Sequence, residues 1–123
     1  MKNMILLIAL AGLAACKKNG TGGSTDVVAF TAHHSKPIFG STVYVKFDAR
    51  ELPQDPTGNY DLVIAGEPNE DHVHIPDLLP GNYFLYATGF DSTIKQPVKG
   101  GVPLNISRKD KKKELEVDIA VSE

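Results

Sequence analysis

Tryptophan is absent from the 123 residues, and cysteine occurs once. A lone cysteine cannot form an internal disulfide, so any folded domain must rest on its hydrophobic core. An excess of positive charge is also missing: 13 lysines and arginines stand against 15 aspartates and glutamates. That balance argues against a nucleic-acid partner, which rewards a basic face. The sequence contains no glycine-flanked serine elbow, no His-Glu-x-x-His pair and no glycine-rich phosphate loop between a strand and a helix. The nucleophilic, metalloprotease and phosphate-cradling classes therefore lose their usual signatures, and the chain is expected not to be an enzyme. A helical period is missing as well. From Asp26 onward the apolar residues alternate instead of recurring every three or four positions.

Charge is distributed unevenly. No acidic residue precedes Cys16, and Lys2 is the only basic one before it. With Lys2 set aside from the 13 basic residues, 12 remain against the 15 acidic ones, a net charge of −3 for the rest of the chain. The opening MKNMILLIALAGLAA has an apolar run from Met4 to Ala15. A membrane span needs about 20 apolar residues, so this run is short for a stable span and has the length of a secretory signal peptide. It ends in Leu13-Ala14-Ala15-Cys16. That tetrad resembles the lipobox of bacterial lipoproteins, in which an aliphatic residue and two small ones precede an obligatory cysteine. The resemblance implies removal of residues 1–15, lipidation of the Cys16 thiol and anchoring in membrane lipid through its acyl chains. Each buried CH₂ of such chains contributes about 0.8 kcal/mol. Residues 17–25 (KKNGTGGST) offer nothing apolar to bury and read as a flexible tether. Lys17 and Lys18 are not the aspartate that retains lipoproteins of the enterobacterial type at the inner membrane, so the expected address is the cell envelope, at the outer membrane. The resulting organisation is 1–15 signal peptide, 16–25 lipidated cysteine and tether, 26–123 folded domain.

Seven runs in that domain read as strands. Val43, Val45 and Phe47 face one way, and Thr42, Tyr44 and Lys46 the other. Tyr83, Leu85 and Ala87 alternate with Phe84, Tyr86 and Thr88; Leu115, Val117, Ile119 and Val121 alternate with Glu114, Glu116 and Asp118. Shorter runs lie at Val102–Ile106, Val73–Ile75, Val27–His33 and Asp61–Ala65. Proline and glycine punctuate them at Pro37, Gly40, Pro53, Pro56, Gly58, Gly66, Pro68, Pro80-Gly81 and Gly100-Gly101. About seven short strands at this spacing predict an all-β sandwich. The basic run Arg108–Lys113 reads as a solvated hairpin tip.

Two segments add a resemblance. Lys36–Lys46 (KPIFGSTVYVK) and Leu78–Ala87 (LLPGNYFLYA) are similar to the opening and to the Pro-Gly-x-Tyr strand of carboxypeptidase regulatory-like domains. These share a prealbumin-like, Ig-like sandwich with transthyretin-like domains, and small Bacteroidetes-type lipoproteins carry such domains. The resemblance spans roughly 27–121 and implies a non-catalytic accessory or binding role. The segment Arg50–Tyr60 is longer and richer in proline than a simple hairpin, which leaves the strand order there open.

Three groups of residues are candidates for a site. His72 and His74, two apart on a strand, share a face and can chelate Zn²⁺ or Cu²⁺, with Asp71 or Glu70 as a further ligand and His33 or His34 as possible partners. The competing reading is a pair of solvated histidines, with His33 and His34 closing a loop. Tyr44, Phe84 and Tyr86 form an expected outward aromatic stripe, suited to a glycan or an envelope protein unless a loop covers it. Asp91, with Asp48, offers carboxylates for Ca²⁺, although capping of turns is the simpler expectation. Apart from lipid on Cys16, no cofactor is expected.

Overall fold

The computed structural model describes residues 19–51 and 60–123. Cys16, the leader before it and most of the Arg50–Tyr60 segment lie outside the described residues. The described chain forms eight strands: β1 (Thr21–His33), β2 (Lys36–Pro37), β3 (Thr42–Phe47), β4 (Leu62–Ala65), β5 (His72–Leu78), β6 (Gly81–Asp91), β7 (Gln96–Ile106) and β8 (Glu114–Ala120). A single 3₁₀ turn, Arg108–Asp110, joins β7 to β8. The seven strands expected from alternation are all present, and the eighth is the two-residue β2.

Two four-stranded sheets pack face to face as an all-β sandwich compatible with an Ig-like or prealbumin-like domain. In the first sheet β1 is central. It pairs antiparallel with β5 and, at its end, with β2; its other side pairs parallel with β8. The second sheet runs β4-β3-β6-β7, all antiparallel. Strand period dictates the core. Val27 and Ala29 of β1, Val73 and Ile75 of β5 and Ile119 of β8 face Val43 and Val45 of β3, Tyr83, Leu85 and Ala87 of β6, and Val98 and Ile106 of β7. On β8 the outward Glu114, Glu116 and Asp118 are exposed, as the alternation predicts.

Two expectations need correction. Strand β1 begins at Thr21 rather than near Val27, and Thr25 is fully buried, so residues 21–25 belong to the sandwich and not to a tether. Polar side chains there are anchored by specific bonds: Thr25 Oγ1 donates to the Asp110 carbonyl at 2.7 Å. The basic run Arg108–Lys113 is also not a hairpin tip. Because β8 pairs parallel with β1, the chain must cross from the second sheet to the first, and this run is the crossing. Ser107 and Asp110 fasten its turn: the Ser107 N–H and hydroxyl both donate to Asp110 Oδ2, at 2.9 and 3.0 Å.

Prolines sit where a missing N–H is harmless. Pro76 lies on β5 and Pro97 and Pro103 on β7, both edge strands. Gly100 lets β8 approach β7: a Cβ there would lie 2.1 Å from the Ala120 carbonyl oxygen. Lys99 and Ser122 then exchange backbone hydrogen bonds of 2.8 and 2.9 Å and stitch the two sheets together at this edge.

The Pro80-Gly81 turn delivers Tyr83 into the core, as the Pro-Gly-x-Tyr resemblance implies. Its ring is fully buried, and its hydroxyl accepts from the Gly20 N–H at 2.8 Å and donates to the Leu79 carbonyl at 2.6 Å. One phenol thus ties the entry to β1 to the β5–β6 turn. Replacing Tyr83 by Phe leaves these groups without a partner in the interior. The expected loss is about 1–3 kcal/mol of unfolding free energy, read from urea denaturation.

Candidate functional site

The four histidines fall into two clusters on opposite faces of the first sheet. Alternation along β1 places odd-numbered residues inward, so His33 follows Val27, Ala29 and Thr31 into the interior. His72 and His74 lie on β5 opposite the outward Phe30 and Val28 of β1. The expected partnership of His72 and His74 with His33 or His34 therefore does not form, because a sheet stands between the two pairs.

On the outer face, the His72 and His74 rings meet edge to face with centroids 5.0 Å apart, and Phe30 packs against His72 at 5.3 Å. Glu70 Oε2 lies 2.9 Å from His72 Nε2, and Asp71 Oδ1 lies 2.9 Å from His72 Nδ1. The hydrogen bond to Asp71, reinforced by the charges of Glu70 and Asp71, raises the His72 pKa above the ordinary imidazole value, against a smaller opposing effect of desolvation. Ligand atoms of Glu70, His72 and His74 all come within 4.8 Å of one another. They border an open groove of about 310 Å³ whose other wall includes Ile64 and Glu67. The anticipated His-x-His pair with a nearby carboxylate is thus assembled as a set of three.

The second cluster centres on His33, which is 3 % exposed. Its Nδ1 lies 2.9 Å from Asp91 Oδ2, at the end of β6 in the opposite sheet. Asp91 is itself buried, and its Oδ1 accepts from the Thr93 N–H at 2.9 Å. Hydrogen bonds from Thr93, then from His33, hold the Asp91 carboxyl at about 2, below its ordinary 3.8. Asp91 caps a turn as expected. Asp48 is no partner for it, since Asp48 follows the Phe47–Tyr83 pair at the other end of β6. His34, in a left-handed turn conformation, lies beside His33 with ring centroids 4.3 Å apart and planes tilted by 43°. Glu123 Oε1 lies 3.3 Å from His33 Nε2. Neither Asp91 nor Glu123 is recognisable beforehand as a partner of His33. The only hint is parity, since a histidine on the inward register of a strand needs a polar partner.

The aromatic stripe is a correction. Phe84 and Tyr86 are buried, at 7 % and 5 % exposure, and Tyr44 is half-buried. Tyr86 pairs with Tyr44 across the strands at 5.8 Å, and Tyr60 lies nearly parallel over Tyr86 at 6.1 Å. Burial beside Tyr86 pushes the Tyr60 phenol up to about 12. Phe84 tucks beneath Gly101, where a Cβ would come within 2.5 Å of its ring. Closed over in this way, the stripe is not an open platform for a sugar. The exposed aromatics are instead Phe39 and Phe90, which with Lys36 and Thr93 line a groove of about 370 Å³.

No protein-family model, no curated protein and no solved structure matches the chain.

The Asp91 shift has a sign that can be checked. In the unfolded chain this carboxyl titrates near 3.8 and in the fold near 2. The unfolded state therefore binds more protons between these values, and the contribution to stability, complete above the unfolded value, is lost as pH falls from about 4 to about 2. Urea midpoints measured across that window should drop in the native protein, and the drop should shrink in Asp91→Asn.

Proposed function

We propose that the chain is a membrane-anchored lipoprotein whose sandwich is a non-catalytic binding or scaffolding module at the cell envelope, at the outer membrane because Lys17 and Lys18 stand where an inner-membrane retention aspartate would. The finer likeness to carboxypeptidase regulatory-like domains belongs to the same reading. Sequence supports the anchor through Leu13-Ala14-Ala15-Cys16. The observation that carries it into the fold is the placement of the basic crossing. The N–H of Lys112 donates to Ser24 Oγ at 3.2 Å, and that of Asp26 donates to the Lys113 carbonyl at 3.0 Å. Exposed Arg108, Lys109 and Lys111–Lys113 thus sit at the same end of the molecule as the start of β1. Four residues separate Cys16 from Thr21, a reach of at most about 18 Å over the five steps between them. A bilayer holding Cys16 would have this basic end nearest to it, where each Lys or Arg near an anionic surface contributes about 1 kcal/mol.

Labelled fatty acid supplied to bacteria expressing the full chain should enter the protein, and Cys16→Ala should abolish incorporation. Unlabelled protein of otherwise normal abundance would overturn the anchor.

A second reading, a surface Zn²⁺ or Cu²⁺ site, is favoured by the convergence of Glu70, His72 and His74. Two imidazoles and a carboxylate are a suitable donor set for these ions. In the untagged full chain, His72→Ala together with His74→Ala should remove one Zn²⁺ per chain from a chelator-competition titration. An unchanged titration would remove this site.

A further inference from the structure

We infer that His33, His34 and Glu123 form a second divalent-cation centre, independent of the one on the outer face, in which Asp91 orients the buried ligand. Three observations converge on it. First, His33 is 3 % exposed, yet its Nε2 has no hydrogen-bond partner among the described residues. The Glu123 oxygen 3.3 Å away lies close enough to share a ligand but is not aligned for a hydrogen bond. A buried polar nitrogen without a partner is costly, and a cation satisfies it.

Second, Asp91 determines which nitrogen is available. Its Oδ2 sits on Nδ1 at 2.9 Å. In the neutral ring the proton therefore belongs on Nδ1, where it is donated to Asp91, and the lone pair is on Nε2. A carboxylate behind a ligating imidazole is the arrangement that fixes its tautomer and raises its basicity. Asp91 is fixed in turn by the Thr93 N–H. This support comes from the opposite sheet, so the ring of His33 is held from both layers of the sandwich.

Third, the other two donors are exposed and held in place. His34 extends from the turn after β1, beside the His33 ring. Glu123 is placed by the Lys99–Ser122 bridge immediately before it. The ligand atoms of His33, His34 and Glu123 lie within 4.8 Å of one another. Beside them opens a groove of about 400 Å³ bordered by Ala32, Asp118 and Val121, through which an ion and water can enter. Two nitrogens and one oxygen match Zn²⁺ or Cu²⁺ better than Ca²⁺ or Mg²⁺, which take oxygen ligands. Three protein ligands leave a fourth position for water or for an anionic or imidazole group of a partner.

The test uses the untagged full chain carrying Cys16→Ser, His72→Ala and His74→Ala, which removes the thiol and the outer-face histidines. After chelation and dialysis, Zn²⁺ is titrated against a chromophoric chelator, and Cu²⁺ is examined by electron paramagnetic resonance for coupling to two nitrogens. One Zn²⁺ per chain is expected. His34→Ala and Glu123→Gln, both at exposed positions and harmless to the core, should each weaken binding at least tenfold. Asp91→Asn should weaken it by roughly 10- to 100-fold while leaving the ligands in place. Thermal unfolding of each variant, measured without metal, checks that the fold persists. No stoichiometric binding at roughly 100 μM Zn²⁺, or binding that ignores both His34→Ala and Glu123→Gln in folded protein, overturns the centre.

Discussion

Alternation along β1 is the constraint from which most of this molecule follows. A strand flanked on both sides by partners cannot shift by one residue without turning its whole apolar set outward. Val27, Ala29 and Thr31 fix the inward register, and they thereby commit His33 to the interior. The same register sends Val28 and Phe30 outward, opposite His74 and His72. Both histidine clusters are thus consequences of one strand. They differ because the inward histidine must find its partners inside the sandwich, whereas the outward pair meets carboxylates at the surface.

The interior answers that demand with few polar groups. Asp91 reaches His33 from the second sheet, and Thr31 meets Ser41 at 2.7 Å, hydroxyl to hydroxyl. Tyr83 serves the opposite end, where its phenol joins Gly20 to Leu79. The His33–Asp91 and Tyr83–Gly20 contacts join residues 58 and 63 apart in sequence, and the strand ladders alone do not supply them. The bridge between Lys99 and Ser122 adds a direct backbone link between the two sheets.

Alternation made the sandwich legible in the sequence. The inward and outward residues of β3, β7 and β8 were readable because those strands have one buried and one exposed or half-exposed face. It failed on β6, where Phe84 and Tyr86 have outward parity yet are covered, one beneath Gly101 and the other under Tyr60. Parity gives a direction but not what lies there. The start of β1 was hidden for a different reason. Thr21–Thr25 looks like linker by composition, and its strand character comes from partners as distant as Leu78 and Asp110. The parallel pairing of β8 with β1 left no local mark, so the basic crossing resembled a hairpin tip. Of the candidate site, the His72–His74 pair with Glu70 could be read from spacing. The His33–Asp91 contact could not, because it joins residues 58 apart on different sheets.

The prolines of the sheet edges have a further consequence. β5 carries Pro76, and β7 carries Pro97 and Pro103. β4 is only four residues long, and the outward row of β8 is acidic. Each open edge is therefore a poor template for a strand from another molecule. A sandwich with edges blunted in this way can be crowded against copies of itself and still keep its sheets to itself.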